Sequence, residues 1–215
     1  MLTEEKEDYL KAILANDGDK SFVSNKILSQ YLNIKPPSVS EMVGRLEKAG
    51  YVETKHYKGV KLSDEGLKHT LDIIKRHRLL ELFLIEVLQY NWEEVHQEAE
   101  ILEHRVSDLF VERLDKILDY PESCPHGGII PRDSHFVEKY TTSILEYEPG
   151  DTVAIKRVRD KTELLVYLSS KDISIGNEVE IVTKDETNKV IIVKRKDVIT
   201  ILSYDNAMNI FAEQA

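Results

Sequence analysis

The sequence predicts a mainly α-helical chain with a small β module: an N-terminal winged helix-turn-helix, a helical dimerisation domain and a C-terminal SH3-like β-barrel. Three observations carry this. Apolar residues recur at helical spacing from the N-terminus to about residue 118, a Pro-Pro step parts two short helices near residue 36, and past residue 148 the pattern changes to short β-branched runs. Domain limits follow at 1–72, 73–142 and 148–215.

Thr3, with acidic residues behind it, opens a helix over 3–15 in which Tyr9, Leu10, Ile13 and Leu14 share a face. Ser24 opens a second, with Ile27, Leu28, Tyr31 and Leu32 as its apolar stripe; it stops in NIKPP because proline disfavours helical geometry in the residue before it. Pro37 sits where a third helix starts, and Gly50 closes that helix. Tyr51–Lys55 and Val60–Leu62 read as a hairpin around Lys58-Gly59, followed by a helix capped by Ser63. Helix, helix, helix and hairpin is the order of a winged helix.

From Leu67 to Leu88 the helical pattern is apolar around much of its circumference, as a helix buried between subunits would be. Another long helix is expected from Asn91-Trp92 to about Leu118. Residues 119–147, with Pro121, Pro125, Pro131 and Gly127-Gly128, read as an irregular connector. Beyond Glu148, DTVAIKRV, EVEIV, KVIIVKR and VITIL are strands, with a short helix at ELLVYL: a small barrel or SH3-like module.

Composition narrows the function. At 215 residues with 32% charged and 41% hydrophobic residues, the chain is of ordinary globular make-up. No signal peptide and no membrane span is legible, so a cytoplasmic location without a membrane partner is expected. Cys124 is the only cysteine, which excludes an intramolecular disulfide. The net charge of -10 opposes nucleic-acid binding. Over 37–61, however, Arg45, Lys48, Lys55, Lys58 and Lys61 face Glu41, Glu47 and Glu53, so five basic against three acidic residues leave a local +2. Bound cations would offset part of the remainder.

His96, Glu100, Glu103 and His104 fall at i, i+4, i+7 and i+8, within one arc of roughly 100° beside Val95, Ala99, Leu102, Val106 and Leu109. Carboxylates at the rim of an apolar face lose hydration, and a cation compensates. His77 and Glu81 repeat the i, i+4 spacing, and Cys124-Pro125-His126 adds a thiol and an imidazole. Each alone fits a solvated salt bridge; together they point to a transition metal. H-E-x-x-H is absent and no open coordination position is evident, so no catalytic residues are expected, although a metal-dependent enzyme or carrier stands as the rival reading. Carboxylate and imidazole suit Mn(II) or Fe(II), while a thiolate leans towards iron or Zn(II).

KPPSVSEMVGRLEKAGYV, RHRLLELFL and EAEILEHRVSDLFVERLDKIL together resemble the diphtheria toxin repressor family, closest to its manganese transport regulator branch in Gram-positive cocci. The likeness spans essentially the whole chain, including a C-terminal module like iron-transport protein A. It implies a homodimer that binds double-stranded operator DNA and represses metal-uptake genes when Mn(II), or alternatively Fe(II) or Zn(II), is plentiful. Two metal sites per subunit are implied. The primary one would use Asp8, Glu100, Glu103 and His104, joined by Cys124 and His126; the ancillary one would use His77, Glu81, His96 and Asp160. The division of Glu100, His104, Cys124 and His126 between the two stays open. Lys11 stands where the bacillus-type regulators carry a second acidic ligand, a departure that shifts weight to the Cys124-His126 loop. For DNA the resemblance implies Lys35, Pro37, Ser38, Ser40 and Glu41 at the start of the recognition helix, with Arg45 and Lys58 on phosphates.

Overall fold

The apolar spacing at the N-terminus resolves into three helices and a hairpin. The computed structural model describes residues 2–132 and 137–215. In it α1 (Glu4–Ala15), α2 (Asn25–Tyr31) and α3 (Pro36–Lys48) precede β1 (Val52–Lys55) and β2 (Gly59–Leu62). Ser24 caps α2, its hydroxyl accepting from the Ile27 N–H, and Pro36 takes the first turn of α3, where a missing N–H leaves no bond unmade. Thr3 holds the cap position of α1 without a side-chain capping bond; Glu4, Glu5 and Glu7 favour that end through the helix dipole instead.

Tyr9, Leu10 and Ile13 of α1 share one core with Leu28, Val39, Leu46, Val52 and Val60. Each such side chain contributes about 1.5–3 kcal/mol on burial. Ile27 and Tyr31, expected in the apolar stripe of α2, are exposed, because this short helix buries only the face around Leu28. The hairpin pairs Val52 with Leu62 and Lys55 with Gly59. Two backbone bonds between Val23 and Val60, of 2.8 and 2.9 Å, fasten it to the segment before α2.

α4 (Asp64–Glu86) starts at Ser63, whose hydroxyl accepts from the Gly66 N–H. Two compact units divide within it. The first holds the residues up to Arg76 with Pro131 and Arg132, and the second His77–Ile130 with Val137–Ala215.

In the second unit the long helix expected from Trp92 to Leu118 is two helices, α5 (Val95–Glu103) and α6 (Asp108–Ile117). Ser107 is the cause: its hydroxyl accepts from the Phe110 N–H and caps a new helix instead of continuing the old one. His104 therefore sits at the C-cap of α5, and Leu109, expected on the arc of Val95 and Ala99, is exposed. Leu79, Leu80 and Leu84 pack with Val95, Ala99, Val111, Leu114 and Ile130.

Of the expected connector over 119–147, residues 133–136 lie outside the described residues. A 3₁₀ turn at Ile144–Glu146 leads into the C-terminal module. There β3 (Thr152–Val158), β4 (Glu178–Asp185), β5 (Val190–Arg195), β6 (Val198–Ser203) and β7 (Ile210–Gln214) form an antiparallel sheet in the order β6-β5-β4-β3-β7. α7 (Thr162–Ser170) lays Leu164, Leu165 and Leu168 into a core with Val153, Ile155, Val179, Ile181 and Ile191, and α8 (Tyr204–Ala207) adds Ala207. The strand β7 has no counterpart in the sequence reading, since Ile210, Phe211 and Ala212 are buried in succession and lack the alternation of a half-buried strand. Among the described residues, no helix is long and apolar enough to cross a membrane.

Candidate metal centre and nucleic-acid interface

α4 carries His77 and Glu81 one turn apart on its buried face. His77 Nδ1 lies 2.6 Å from Glu103 Oε2 and 3.7 Å from Glu100 Oε1; its Nε2 lies 3.0 Å from Glu81 Oε1 and 3.1 Å from His96 Nδ1. Two carboxylates thus flank one buried imidazole. Burial disfavours its charge, but the Glu81 and Glu103 carboxylates outweigh that and raise its pKa to about 10. For Glu81 burial acts upward, yet the His77 charge and bonds from three imidazoles hold its carboxyl well below the usual range.

The Cys124-His126 loop comes to the same carboxylate. His126 Nε2–H donates to the Trp92 carbonyl at 2.8 Å, which turns Nδ1 towards Glu81 Oε1 at 3.2 Å and Asp160 Oδ1 at 3.0 Å. A backbone carbonyl fixing one ring nitrogen so that the other faces carboxylates is the arrangement a metal-binding imidazole uses. Burial opposes charge on His126, while Asp160 and Glu81 raise its pKa far above the usual value. The buried Cys124 belongs to a group with Glu81 and His126 whose ligand atoms all lie within 4.8 Å of one another, and burial, with the Glu81 charge, pushes its thiol up to about 11. His77, Glu81, His96 and Asp160 form a second such group, and His77, Glu100 and Glu103 a third.

These residues fit a cation. Glu81 Oε2, Asp160 Oδ1 and His126 Nδ1 are buried and make no aligned hydrogen bond, although the last two approach each other closely. Oxygen, nitrogen and sulfur donors converging out of alignment with one another are satisfied together by a central positive ion. The candidate donors of the loop, Cys124 and His126, are gathered beside Glu81 and Asp160, residues that the resemblance gives to the ancillary centre. His104 Nε2 lies 3.3 Å from Glu103 Oε1 on the other side of His77. Asp8 lies half-buried on α1, in the first unit.

Sequence reasoning missed the scaffold of this loop. The Arg78 guanidinium, next to His77, donates to the Ile129 carbonyl and pairs with Glu138 at 2.5 Å, while Glu138 Oε2 accepts from the Ile129 N–H at 3.2 Å. Trp92, the only tryptophan, was also passed over. Its ring centroid lies 5.6 Å from that of His126 and its indole N–H donates to Ser169 at 2.5 Å. A basic residue beside a candidate ligand histidine was the available signal for the first; nothing in the sequence marked the second.

Among the sequence-predicted DNA residues, Lys35, Pro37, Ser38, Ser40, Glu41 and Arg45 are all exposed on or at the start of α3, as is Lys58 on the hairpin. Ser40 Oγ donates to the Pro36 carbonyl at 3.1 Å and accepts from Asn25 at 3.0 Å, so its hydroxyl already braces α2 against α3. Glu41 pairs with Arg45 at 2.6 Å, an exposed i, i+4 ion pair.

The chain matches three family models: the iron-dependent repressor N-terminal DNA-binding domain over residues 1–60, the iron-dependent repressor metal-binding and dimerisation domain over 63–132, and the FeoA domain over 142–214. It is similar to the crystal structure of ScaR with bound Zn2+, at 36% identity and a TM-score of 0.88, covering 98% of this chain and 99% of that one. The structure of the manganese regulator SloR aligns at 35% identity and a TM-score of 0.85 over the full length of both. The iron-dependent repressor IdeR of Mycobacterium leprae (strain TN) is 26% identical over 214 residues, 93% of each chain.

Proposed function

Because the chain belongs to the diphtheria toxin repressor family of metal-dependent transcriptional repressors, we propose that Mn(II) is its activating ion and that the loaded homodimer closes metal-uptake genes by holding their operators. The observation that carries this is the buried cluster around Glu81, in which carboxylate oxygens and imidazole nitrogens outnumber the single thiol. Such a donor set suits Mn(II). Buried Cys124 within it favours a second reading, an Fe(II)- or Zn(II)-sensing repressor of the same architecture.

Two centres per subunit are proposed. One is built on Glu81, Cys124, His126 and Asp160; the other on Glu100, Glu103 and His104, which Asp8 joins on the strength of the family resemblance, with His77 and His96 serving between them. When bound, the cation supplies positive charge that links carboxylates and imidazoles from separate segments. The residues do the rest: Trp92 orients His126 through its carbonyl, Arg78 holds the loop, and Glu81 offers oxygen to both sides. With a ligand from the DNA-binding domain in the set, metal affinity and the domain arrangement that DNA selects become one linked equilibrium. The exposed residues of α3 then enter the major groove, two half-sites per dimer.

Titration of Mn(II), Fe(II) and Zn(II) against binding to a duplex from the gene's own upstream region tests the reading. Mn(II) is expected to tighten binding by about 5–150-fold, the usual range of an allosteric coupling, and Asp8→Ala to remove that gain. Binding that is indifferent to all three metals would sink it.

A further inference from the structure

Tyr57 is 96% exposed at the tip of the hairpin, and its φ of +62° is a left-handed conformation that suits glycine or asparagine and strains a tyrosine. A bulky aromatic kept in a strained, solvent-facing position calls for a use outside the fold.

The tip is held in place. The Lys58 N–H donates to the Lys55 carbonyl at 2.9 Å, closing the turn. Gly59 lies so close to the neighbouring segment that a Cβ there would stand 2.0 Å from the Val23 carbonyl oxygen, and the two Val23–Val60 bonds continue that contact. The ring of Tyr57 stacks obliquely on that of His56, with centroids 3.9 Å apart. Exposed Lys55 and Lys58 flank it, and a groove of about 440 Å³ runs from these residues to Ser24 and Asn25. An exposed aromatic ring with a lysine on either side of it in the sequence, on a tip anchored before any partner arrives, matches a polyanion whose charges alternate with apolar sugar rings.

We propose that Tyr57 is a DNA-contacting residue that lays its ring on the sugar-phosphate backbone beside the half-site entered by α3. The inference rests on the repressor reading above and deepens it: this contact adds affinity without reading sequence. Lysines at the flanks provide charge, and the ring provides contact area already ordered in the free protein.

The test uses the full chain with Mn(II) and a fluorescent duplex that the wild type has selected from a random pool. Tyr57→Asn suits the left-handed backbone, so its unfolding midpoint is expected at or above the wild-type value, with Mn(II) binding unchanged. Its DNA affinity is expected to fall about tenfold through lost apolar burial. The same factor is expected on a scrambled duplex, with the salt dependence kept, whereas Lys58→Ala lowers the slope of log K against log salt by about one. Binding by Tyr57→Asn within twofold of wild type overturns the inference, as does a loss that tracks a lowered unfolding midpoint. If the wild type selects no duplex at all, the repressor reading fails first and this inference goes with it.

Discussion

Asp160, in the loop after β3, places its Oδ1 3.0 Å from Nδ1 of His126, in the connector after α6. A residue of the C-terminal module thereby joins His77, Glu81 and His96 in a group that could hold a metal ion. Asp160→Ala is expected to weaken binding of one metal ion per subunit by at least the roughly 10–100-fold that an outer partner is worth. Isothermal titration with Mn(II) measures it; two unchanged sites would show that the module does not serve the metal.

Cys124 is expected to tune which metal is preferred. Replacement by serine exchanges a soft donor for a hard one in the group with Glu81 and His126. Cys124→Ser is expected to lose more affinity for Zn(II) and Cd(II) than for Mn(II). In the Co(II)-loaded protein it removes the sulfur-to-metal absorption band; a band of equal intensity in wild type and variant would place the thiol outside the coordination sphere.

Three of the buried polar atoms that make no aligned hydrogen bond, Glu81 Oε2, Asp160 Oδ1 and His126 Nδ1, cluster in the second unit. A cation bound by the folded chain alone adds about 2.7 kcal/mol at a hundred times its dissociation constant. Scanning calorimetry is expected to show the unfolding midpoint rise with Mn(II) and return with chelator. A midpoint that stays fixed argues against a built metal site.

Gly59 and Gly44 separate two roles of one residue type. Gly59→Ala forces a Cβ against the Val23 carbonyl and is expected to cost about 2 kcal/mol or more. A Cβ on Gly44, inside α3, meets nothing within 4 Å, so Gly44→Ala is expected to gain about 0.5–1 kcal/mol from helix propensity. Urea denaturation of the two variants gives both signs.

The winged helix was legible because Ser24, Pro36-Pro37 and Gly50 punctuate its helices chemically, and such punctuation acts locally. The break at Ser107 was not: a serine inside an apolar period reads as a tolerated helical residue until its hydroxyl is seen to cap. That His77, Glu81 and His96 are candidate donors was legible from their helical spacing, and the structure brings them together. That Cys124 and His126 would come to Glu81 and Asp160 depends on the path of the connector, which Arg78 and Glu138 set through contacts across 51 and 60 residues of chain. No local pattern carries such information. Tyr57 escaped notice for the opposite reason, since its significance is exposure and backbone strain.

Trp92 gives the protein an optical gauge of its own. It is the single indole in the chain, its carbonyl holds His126 and its ring lies against that imidazole. A cation held in front of His126 is expected to alter the emission of one fluorophore at a known address. Occupancy at Glu81 and Asp160 would then be read without a label, by the colour and brightness of unmodified protein, while DNA is present.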